Sequence, residues 1–327
     1  MNQRNFFRKP YLTLLTFTAM LSGCAGSSAK KQQVKKTIWM ADSTPRKQHA
    51  PIQNDISAPQ TNCQQMVTIW VHGTCKTYHF APYGPIKKFF YTKPGIFDPR
   101  TLTTDMHHHT IGKKICQSAP EQFPADHFYM FGWSGILSFE AREEAAHQLY
   151  QEIITLLEQY EQTHGYRPRI RLITHSHGGN VALNLARIAS QYSTPLRIDE
   201  LVLLACPVQD LTAPYTQDPM FTTIYSLYSS TDLIQIADPQ GLYAQQKNHT
   251  TSLFSRRKFS HHPKIRQVKI QINKRSLAHV EFILSQFVDM LPHLLDEIDT
   301  WSEEIWHNEE AQPTLSIMTN KNEKKGN

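Results

Sequence analysis

Three residue types that serve nucleophilic catalysis occur in order along the second half of the chain: Ser176, Asp232 and His279. A histidine can take the proton from a serine hydroxyl, and a carboxylate can hold the imidazole in the required tautomer and stabilise its charged form. The serine oxygen then attacks a carbonyl carbon and carries the acyl group until water or another alcohol removes it. These side chains predict acyl-transfer chemistry, provided that the fold brings them together.

Ser176 stands in a segment whose composition predicts a sharp turn between a strand and a helix. The apolar run 170–173 leads into the sequence THSHGG (174–179), and a helical pattern follows at once. Such a turn exposes the serine hydroxyl above the edge of a sheet, and the helix N-terminus offers N–H groups to a negative oxygen. The alternative is a serine that only caps the helix.

An oxyanion hole at this serine needs two backbone N–H donors. One is expected from His177, directly after the serine. The other is expected from Thr74, since the segment His72-Gly73-Thr74 follows the strand-like run 67–71. The side chains of the histidines on either side of the serine are expected to line the pocket rather than to act as bases.

Two other acids compete with Asp232 for the role of the triad acid. Asp210 follows an earlier strand-like run, and Asp238 is a weaker third candidate. Asp232 follows the run 224–228 and is preferred, but the choice between it and Asp210 stays open at this point.

The chain has 17 histidines, so His279 has rivals in number. The run 107–109 lacks the i, i+4 spacing of a helical metal site, and the pair 261–262 precedes the last strand-like run. We expect both groups to lie in solvated loops. No metal site and no cofactor are predicted, and a metal-dependent hydrolase would instead lose its activity to a chelator.

The turn at the serine, the His-Gly pair at 72–73 and the chain order serine, acid, histidine together resemble the α/β-hydrolase family over about residues 66–300. The resemblance implies a doubly wound, mostly parallel sheet with helices on both faces. It also implies a triad of Ser176, Asp232 and His279 that cleaves a carboxylic ester, as an esterase or lipase does, or that transfers the acyl group to another alcohol.

One residue departs from the family's pattern G-x-S-x-G. Thr174 stands where that pattern has its first glycine. Because threonine is branched at Cβ, the turn must accommodate a larger side chain.

The spacing of apolar residues predicts alternating strands and helices. Strand-like runs lie at 67–71, 127–131, 169–174, 201–205, 224–228 and 268–272, and helical patterns lie at 146–160, at 178–189 and from about 279 onwards. Strands separated by helices indicate a parallel sheet, in which ligands bind beyond the carboxyl ends of the strands. We therefore predict a hydrolase domain over 63–306, with an insertion at 75–126 and a disordered tail at 307–327.

Residues 1–23 predict an export signal, with a basic start and a short apolar run. The sequence Leu-Ser-Gly-Cys at its end resembles a bacterial lipoprotein signal, which implies cleavage before Cys24 and diacylation of its thiol. Residues 24–62, rich in Ser, Lys, Gln, Pro and Asn, are expected to form a lipidated flexible tether. We predict attachment to a lipid bilayer in the bacterial cell envelope, and the resemblance to lipoprotein signals implies, from Ala25 after the cysteine, the outer membrane, facing the periplasm or the exterior. An ordinary secretory signal is the alternative.

The formal charge of +6 does not indicate a nucleic-acid partner. Residues 1–66 hold nine basic and two acidic side chains, so the rest of the chain is close to neutral and its charge does not support a phosphate-binding face. Four cysteines follow the predicted lipidation site. They permit a disulfide among Cys63, Cys75 and Cys116, whereas the apolar run around Cys206 predicts a buried free thiol.

Two functions remain in view. The preferred one is an envelope-anchored serine hydrolase that acts on a small or lipid-like ester, and the other is a non-catalytic lipoprotein of the same fold with a binding or scaffolding role. The aromatic-rich insertion at 75–126 is expected either to border the substrate or to form a small core of its own.

Overall fold

The computed structural model describes residues 34–40, 65–74, 88–89, 92–236 and 256–319. Several predictions fall outside these ranges, namely the export signal at 1–23, most of the tether at 24–62, the lipidation of Cys24, the pairing of Cys63 and Cys75, and the candidate acid Asp238. They stay predictions.

A sheet of ten strands, most of them parallel, forms the centre of the described chain. The strands are β1 (Lys35–Met40), β2 (Met66–Val71), β3 (Gly95–Phe97), β4 (Phe128–Gly132), β5 (Arg169–His175), β6 (Ile198–Leu204), β7 (Phe221–Tyr228), β8 (Ile265–Ile272), β9 (Arg275–Ser276) and β10 (Thr314–Thr319). Their order is β1-β10-β8-β7-β6-β5-β2-β4-β3, with the short β9 paired to β8. β3 and β9 are antiparallel to their neighbours, and the remaining pairs are parallel. The parallel strands therefore end along one edge of the sheet, which we call the carboxyl edge.

Helices cover both faces of this sheet. They are α1 (His107–Ser118), α2 (Phe139–His164), α3 (Gly178–Ala189), α4 (Ser285–Asp299) and α5 (Glu303–His307). α2 and α3 pack together over one apolar core, and α1 and α4 pack over the other. Because both faces are covered, the central strands β5 and β6 are buried along almost their whole length. The predicted fold class, a doubly wound and mostly parallel α/β sheet, is confirmed.

Helix α2 ends where the sequence predicts. Its apolar positions face the core, and Gly165 follows with a φ of 77°, the left-handed conformation of a glycine cap. Ser138 caps the other end by accepting the N–H of Ala141 at 3.0 Å. The helix therefore runs from the carboxyl edge back to the opposite edge of the sheet.

Strands β1 and β10 lie in segments for which the sequence predicts no strand, the tether at 24–62 and the tail at 307–327. The two strands pair in parallel over six residues, and β10 also pairs with β8. In β10, Leu315 and Ile317 are fully buried while Ser316 between them is not. Two alternating apolar residues are a weak signal in a polar tail, and the open edge of β8 supplies the partner that makes the strand.

The histidine run 107–109 forms the first turn of α1, so the prediction of a solvated loop was wrong. His108 is buried, and the ring of His107 stacks on Phe89 with centroids 4.0 Å apart. Burial lowers the pKa of His107 to about 4, so its ring is neutral at pH 7. The helix is hard to recognise in the sequence, because its first three residues are polar although the helix has an apolar face.

From residue 92 onwards the predicted insertion at 75–126 contributes a strand to the sheet and a helix that packs on one of its faces. β3 pairs with β4, and α1 packs against α4. The aromatic residues Phe89 and Phe97 pack against the core on that face. These two residues therefore join the main core on this face rather than a small core of the insertion's own.

Cys116 and Cys206 carry free thiols. Cys206 is buried, as the sequence predicts, and burial raises the pKa of both thiols to about 12. The described chain therefore holds no disulfide through Cys116.

None of the helices in the described ranges combines the length and the hydrophobicity that a bilayer crossing requires. Over the same ranges, no three His, Cys, Asp or Glu side chains are grouped in a way that could hold a metal ion.

Candidate active site

Ser176 lies at the carboxyl end of β5, on the turn that leads into α3. Its φ is 53°, in the left-handed region that residues other than glycine adopt only at a cost. Its N–H donates to the carbonyl oxygen of Leu204 over 2.9 Å, which ties the turn to β6. A strained serine between a strand and a helix N-terminus matches the predicted turn, because this geometry lifts the hydroxyl away from its own backbone.

Two glycines allow the start of α3 to pack directly against its neighbours. A Cβ on Gly178 would lie 2.5 Å from the carbonyl oxygen of His72, and a Cβ on Gly179 would lie 2.5 Å from Sγ of Cys206. Real side chains do not approach so closely, so both positions need glycine. The close approach holds the N-terminus of α3 beside the serine.

Thr174 fits the position where the family's pattern has glycine. Its side chain is fully buried, and its hydroxyl donates to the carbonyl oxygen of Val202 over 3.0 Å. The larger residue is accommodated because the adjacent strand β6 satisfies its hydroxyl.

His279 and Asp232 form a buried hydrogen bond beside this turn. Nδ1 of His279 donates to Oδ2 of Asp232 over 2.8 Å. The other carboxylate oxygen accepts the N–H of Gln235 at 2.9 Å, and Arg257 donates to the main-chain carbonyl of Asp232 at 2.8 Å. Since the carboxylate fixes the proton on Nδ1, the second ring nitrogen, Nε2, carries the lone pair.

His175 fastens the main chain at His279 to the turn. Its Nε2 donates to the carbonyl oxygen of His279 over 3.1 Å, and the two ring centroids lie 4.8 Å apart. Burial and the neighbouring imidazole hold the pKa of His175 well below its usual value, so the ring is neutral. Because His175 directly precedes Ser176, these contacts bring His279 to the turn that carries the serine.

The loop after β2 lies directly against Ser176. A Cβ on Gly73 would be 2.9 Å from Cβ of Ser176 and 3.0 Å from the carbonyl oxygen of His175, so glycine is needed for this approach. Nε2 of His72 accepts the main-chain N–H of Trp133 at 3.1 Å, and Nδ1 therefore donates to the carbonyl oxygen of Gly73 at 2.6 Å. Burial lowers the pKa of His72 to about 4. A neutral, immobilised imidazole thus orients the loop.

The two predicted oxyanion donors flank this contact. Thr74 follows Gly73 and His177 follows Ser176, so their main-chain N–H groups adjoin the point where the loop meets the serine. The hydroxyl of Thr74 is buried and has no hydrogen-bond partner within the described part of the chain. Asn180 donates to Nδ1 of His177 over 3.3 Å, and burial holds the pKa of His177 well below its usual value.

The structure separates Asp232 from its rival Asp210. The side chain of Asp210 is 68% exposed and pairs with Arg256 at 2.7 Å, whereas Asp232 is buried on the imidazole of His279. The preference for Asp232 therefore agrees with the geometry of the site.

Several residues hold the site together in ways that the sequence does not indicate. His175, expected to line the pocket, instead bonds to the main chain of His279, and Gln235, Arg257 and Trp133 also contact the site residues. Gln235 has a weak signal, since a residue three positions after an aspartate often donates its N–H to that carboxylate. The hydrogen bond between His175 and His279 joins residues 104 positions apart, and no pattern in a single sequence indicates it.

A family model described as a PGAP1-like alpha/beta domain matches residues 137–253, the segment that includes the serine turn. Among solved structures, an esterase from Pyrobaculum calidifontis is similar at 15% identity over 72% of this chain and 77% of its own, with a TM-score of 0.36. Carboxyl esterase 2 from Tuber melanosporum is similar at 10% identity over 80% of this chain and 70% of its own, with a TM-score of 0.34.

A third similar structure is the phospholipase PlaB from Legionella pneumophila, in complex with thio-NAD. It shares 15% identity over 46% of this chain and 27% of its own, with a TM-score of 0.25, so this chain matches only about a quarter of PlaB. No curated protein sequence shows significant similarity to this chain. The covered parallel sheet, the strained serine turn on β5 and the match to a PGAP1-like domain describe a chain with a fold of the α/β-hydrolase type.

Proposed function

We propose that this protein is a serine hydrolase that cleaves a carboxylic ester through an acyl-enzyme on Ser176. The hydroxyl oxygen attacks the carbonyl carbon while Nε2 of His279 takes the proton, and the carboxylate of Asp232 stabilises the resulting imidazolium. The main-chain N–H groups of Thr74 and His177 donate to the oxyanion. The imidazolium then protonates the leaving alkoxide, and water repeats the sequence to release the acid.

The observation that carries this proposal is the buried hydrogen bond between His279 and Asp232, fastened beside a strained serine. The carboxylate orients the ring, and His175 holds its main chain to the serine turn. A residue in the left-handed conformation is retained where a function requires it. A scaffold protein of this fold would have no need of these three features together.

The surroundings of the serine favour a charge on one imidazole alone. His72, His175 and His177 all have pKa values well below that of a free histidine, because burial disfavours their charged forms. They are therefore neutral at pH 7 and do not oppose the imidazolium that forms on His279 during the reaction.

The proposal is tested with a fluorophosphonate probe, which reacts with an activated serine. We expect labelling of the wild type and of the control Ser134→Ala, which removes an exposed serine from the loop after β4, and no labelling of Ser176→Ala. Ser176→Ala should also lower kcat on p-nitrophenyl acetate by a factor on the order of 10⁵ to 10⁶. Equal labelling of the wild type and Ser176→Ala, or no labelling of either, would leave the non-catalytic alternative.

We also propose that acyl chains on Cys24 hold the protein in the bacterial envelope. The Leu-Ser-Gly-Cys sequence after a short apolar run supports this proposal. Two acyl chains on Cys24 would hold the protein on a membrane stably, whereas a single chain binds only marginally. The mass of the protein extracted from membranes tests it. We expect a chain that begins at Cys24 and carries the mass of its acyl groups, and a Cys24→Ser variant that keeps residues 1–23 and has no lipid. A wild-type chain without added lipid would refute the anchor.

A further inference from the structure

Large apolar side chains that remain exposed are concentrated at one edge of the molecule. Seven occur in the described chain, and six of them follow the carboxyl ends of strands: Ile136, Leu211, Leu233, Ile234, Val280 and Leu284. We call these six the apolar rim. The seventh, Tyr192, follows α3, and its hydroxyl lies 2.9 Å from Nε2 of His147.

The apolar rim adjoins the candidate active site directly. Leu233 and Ile234 follow Asp232 in the chain and are 69% and 59% exposed, and Val280 follows His279 and is 44% exposed. Single exposed apolar residues are ordinary on a protein surface, but a cluster at one edge marks a place where another apolar surface is met. The core does not account for these side chains, because they are exposed while Asp232, Gln235 and His279 beside them in the chain are buried.

The loops that carry the apolar rim present almost no free charge. In their described residues, 133–138, 206–211, 229–236 and 277–286, the carboxylates are those of Asp210, Asp232 and Glu281. Each of the three is paired, with Arg256, His279 and Arg275 respectively. A surface without unpaired acids can leave water at little electrostatic cost.

Positive side chains lie beside the apolar rim, where Arg256 and Arg257 bond to Asp210 and Asp232, and also at its border. Lys274 is exposed in the turn after β8, with a φ of 62°, and Arg275 follows it. A phospholipid surface offers both matching features, because acyl chains lie beneath a layer of phosphate groups. A protein or nucleic-acid partner would be recognised instead through unpaired charges and donors, which the described residues of these loops hardly offer.

We propose that the apolar rim docks on the surface of a phospholipid bilayer, with the carboxyl edge of the sheet facing the lipid. Leu233, Ile234 and Val280 enter the boundary between headgroups and acyl chains, and Lys274 lies at the level of the phosphates. Ser176, which lies at this same edge of the sheet, is then on the side of the molecule that faces the membrane. Docking needs no turnover, so it stands or falls independently of the proposed hydrolysis.

The test measures partition into phosphatidylcholine vesicles by flotation. The full chain carries Cys24→Ser and Ser176→Ala, so that neither acylation nor turnover contributes. We expect the further change Leu233→Ser with Ile234→Ser to lower the partition coefficient by about tenfold or more, because two exposed aliphatic side chains lose their transfer to lipid. The matched control Tyr192→Ser, at the seventh exposed apolar residue, should leave it unchanged.

Hydrogen exchange locates the contact within the bound protein. On addition of vesicles we expect slower exchange in peptides covering 229–236 and 277–286, and unchanged exchange in 188–196. Leu284→Ser provides a second variant on a different loop, and circular dichroism confirms that each variant is folded. Equal partition of the double variant and Tyr192→Ser, together with no protection of the two loops, would overturn the proposal. So would a double variant that loses self-association in gel filtration with unaltered vesicle partition, since the face would then belong to a second copy of the chain.

Discussion

The two ends of strands β5 and β6 differ in how they hold their side chains. At the amino end, Arg171 pairs with Glu200 at 2.6 Å, and Arg169 and Arg197 both lie 3.4 Å from Asp199. These are charged groups, and several of them are partly exposed. At the carboxyl end the same strands lead into residues with positive φ, Ser176 at 53° and Ala205 at 49°, and into buried imidazoles that burial keeps neutral.

This difference teaches how one sheet serves two purposes. Ion pairs at a surface are replaceable one at a time, because each contributes little and water substitutes for a lost partner. Groups at the carboxyl end depend on backbone hydrogen bonds and on close approaches at Gly73, Gly178 and Gly179, where one added carbon atom would lie within 3 Å of a neighbour. We therefore expect substitutions of the exposed Arg169 and Arg197 at the amino end to change stability slightly and substitutions at the carboxyl end to change rate strongly.

The largest expected effect in this comparison is that of Asp232→Asn. The asparagine keeps the shape of the side chain but no longer holds the proton on Nδ1 of His279, so kcat should fall by about 10,000-fold. The measurement is kcat on p-nitrophenyl acetate, with Asp210→Asn as the matched control because Asp210 is exposed and paired with Arg256. A greater loss of kcat in Asp210→Asn than in Asp232→Asn would show that Asp210 is the acid of the triad.

The second effect concerns the close approach between the loop after β2 and the serine. Gly73→Ala places a Cβ where the nearest atoms, in Ser176 and His175, are about 3 Å away, so the loop must shift by a fraction of an ångström or more. Small displacements of positioned groups cost about 100-fold in rate, and we expect kcat/KM to fall by this factor while the melting temperature changes little. A variant with full activity would show that the loop does not position the donors.

A third effect links buried imidazoles to stability in acid. The pKa of His107 is about 4 in the folded chain and near 6.5 when unfolded, so below pH 6.5 the unfolded state binds more protons and the folded state loses stability as the pH falls. At pH 5 this one histidine removes about 2 kcal/mol of the stability present at pH 7.5. Urea unfolding at the two pH values measures the loss.

The variant His107→Phe sharpens this prediction. Phenylalanine can keep the stack on Phe89 and cannot bind a proton, so the difference between pH 7.5 and pH 5 should shrink by about 2 kcal/mol. An unchanged difference would mean that His107 does not contribute to acid sensitivity, and the loss would then lie with the buried histidines at the serine.

The smallest effect is expected at the amino end. Arg169 is 45% exposed and its partners lie at 3.4 and 3.8 Å, so Arg169→Gln should lower the free energy of unfolding by about 1 kcal/mol or less and leave kcat/KM unchanged. Thermal unfolding and the ester assay on one preparation check both parts. A tenfold loss of kcat/KM in Arg169→Gln would contradict the expectation that the amino ends of the strands affect stability and not rate.

The sequence predicts the centre of this fold well, because its strands and helices are long apolar runs with clear ends. The turn at Ser176 is recognisable because small residues follow the apolar end of a strand directly and a helical pattern begins after them. The chain order adds Asp232 and His279, and the structure joins these two residues by a hydrogen bond. These features depend on residues that are close together in sequence or that follow a regular pattern.

The features that the sequence does not predict depend on partners far along the chain. β1 and β10 form because each meets an unpaired edge, and His175 acts on His279 only after the sheet has brought them together. The helix at 107–118 is hidden because its first three residues are histidines. The polarity of one residue does not predict whether it is buried when its neighbours in the folded structure are unknown.

The pairing of β1 with β10 bears on how the chain is completed. β1 precedes and β10 follows every other described strand, yet their six backbone pairs must form with each other. A polypeptide that leaves the ribosome or crosses a membrane N-terminus first therefore presents β1 long before its partner arrives, and such distant pairing slows folding. Removal of the residues from 314 onwards would take away this partner and uncover the backbone of β8 for association with other chains.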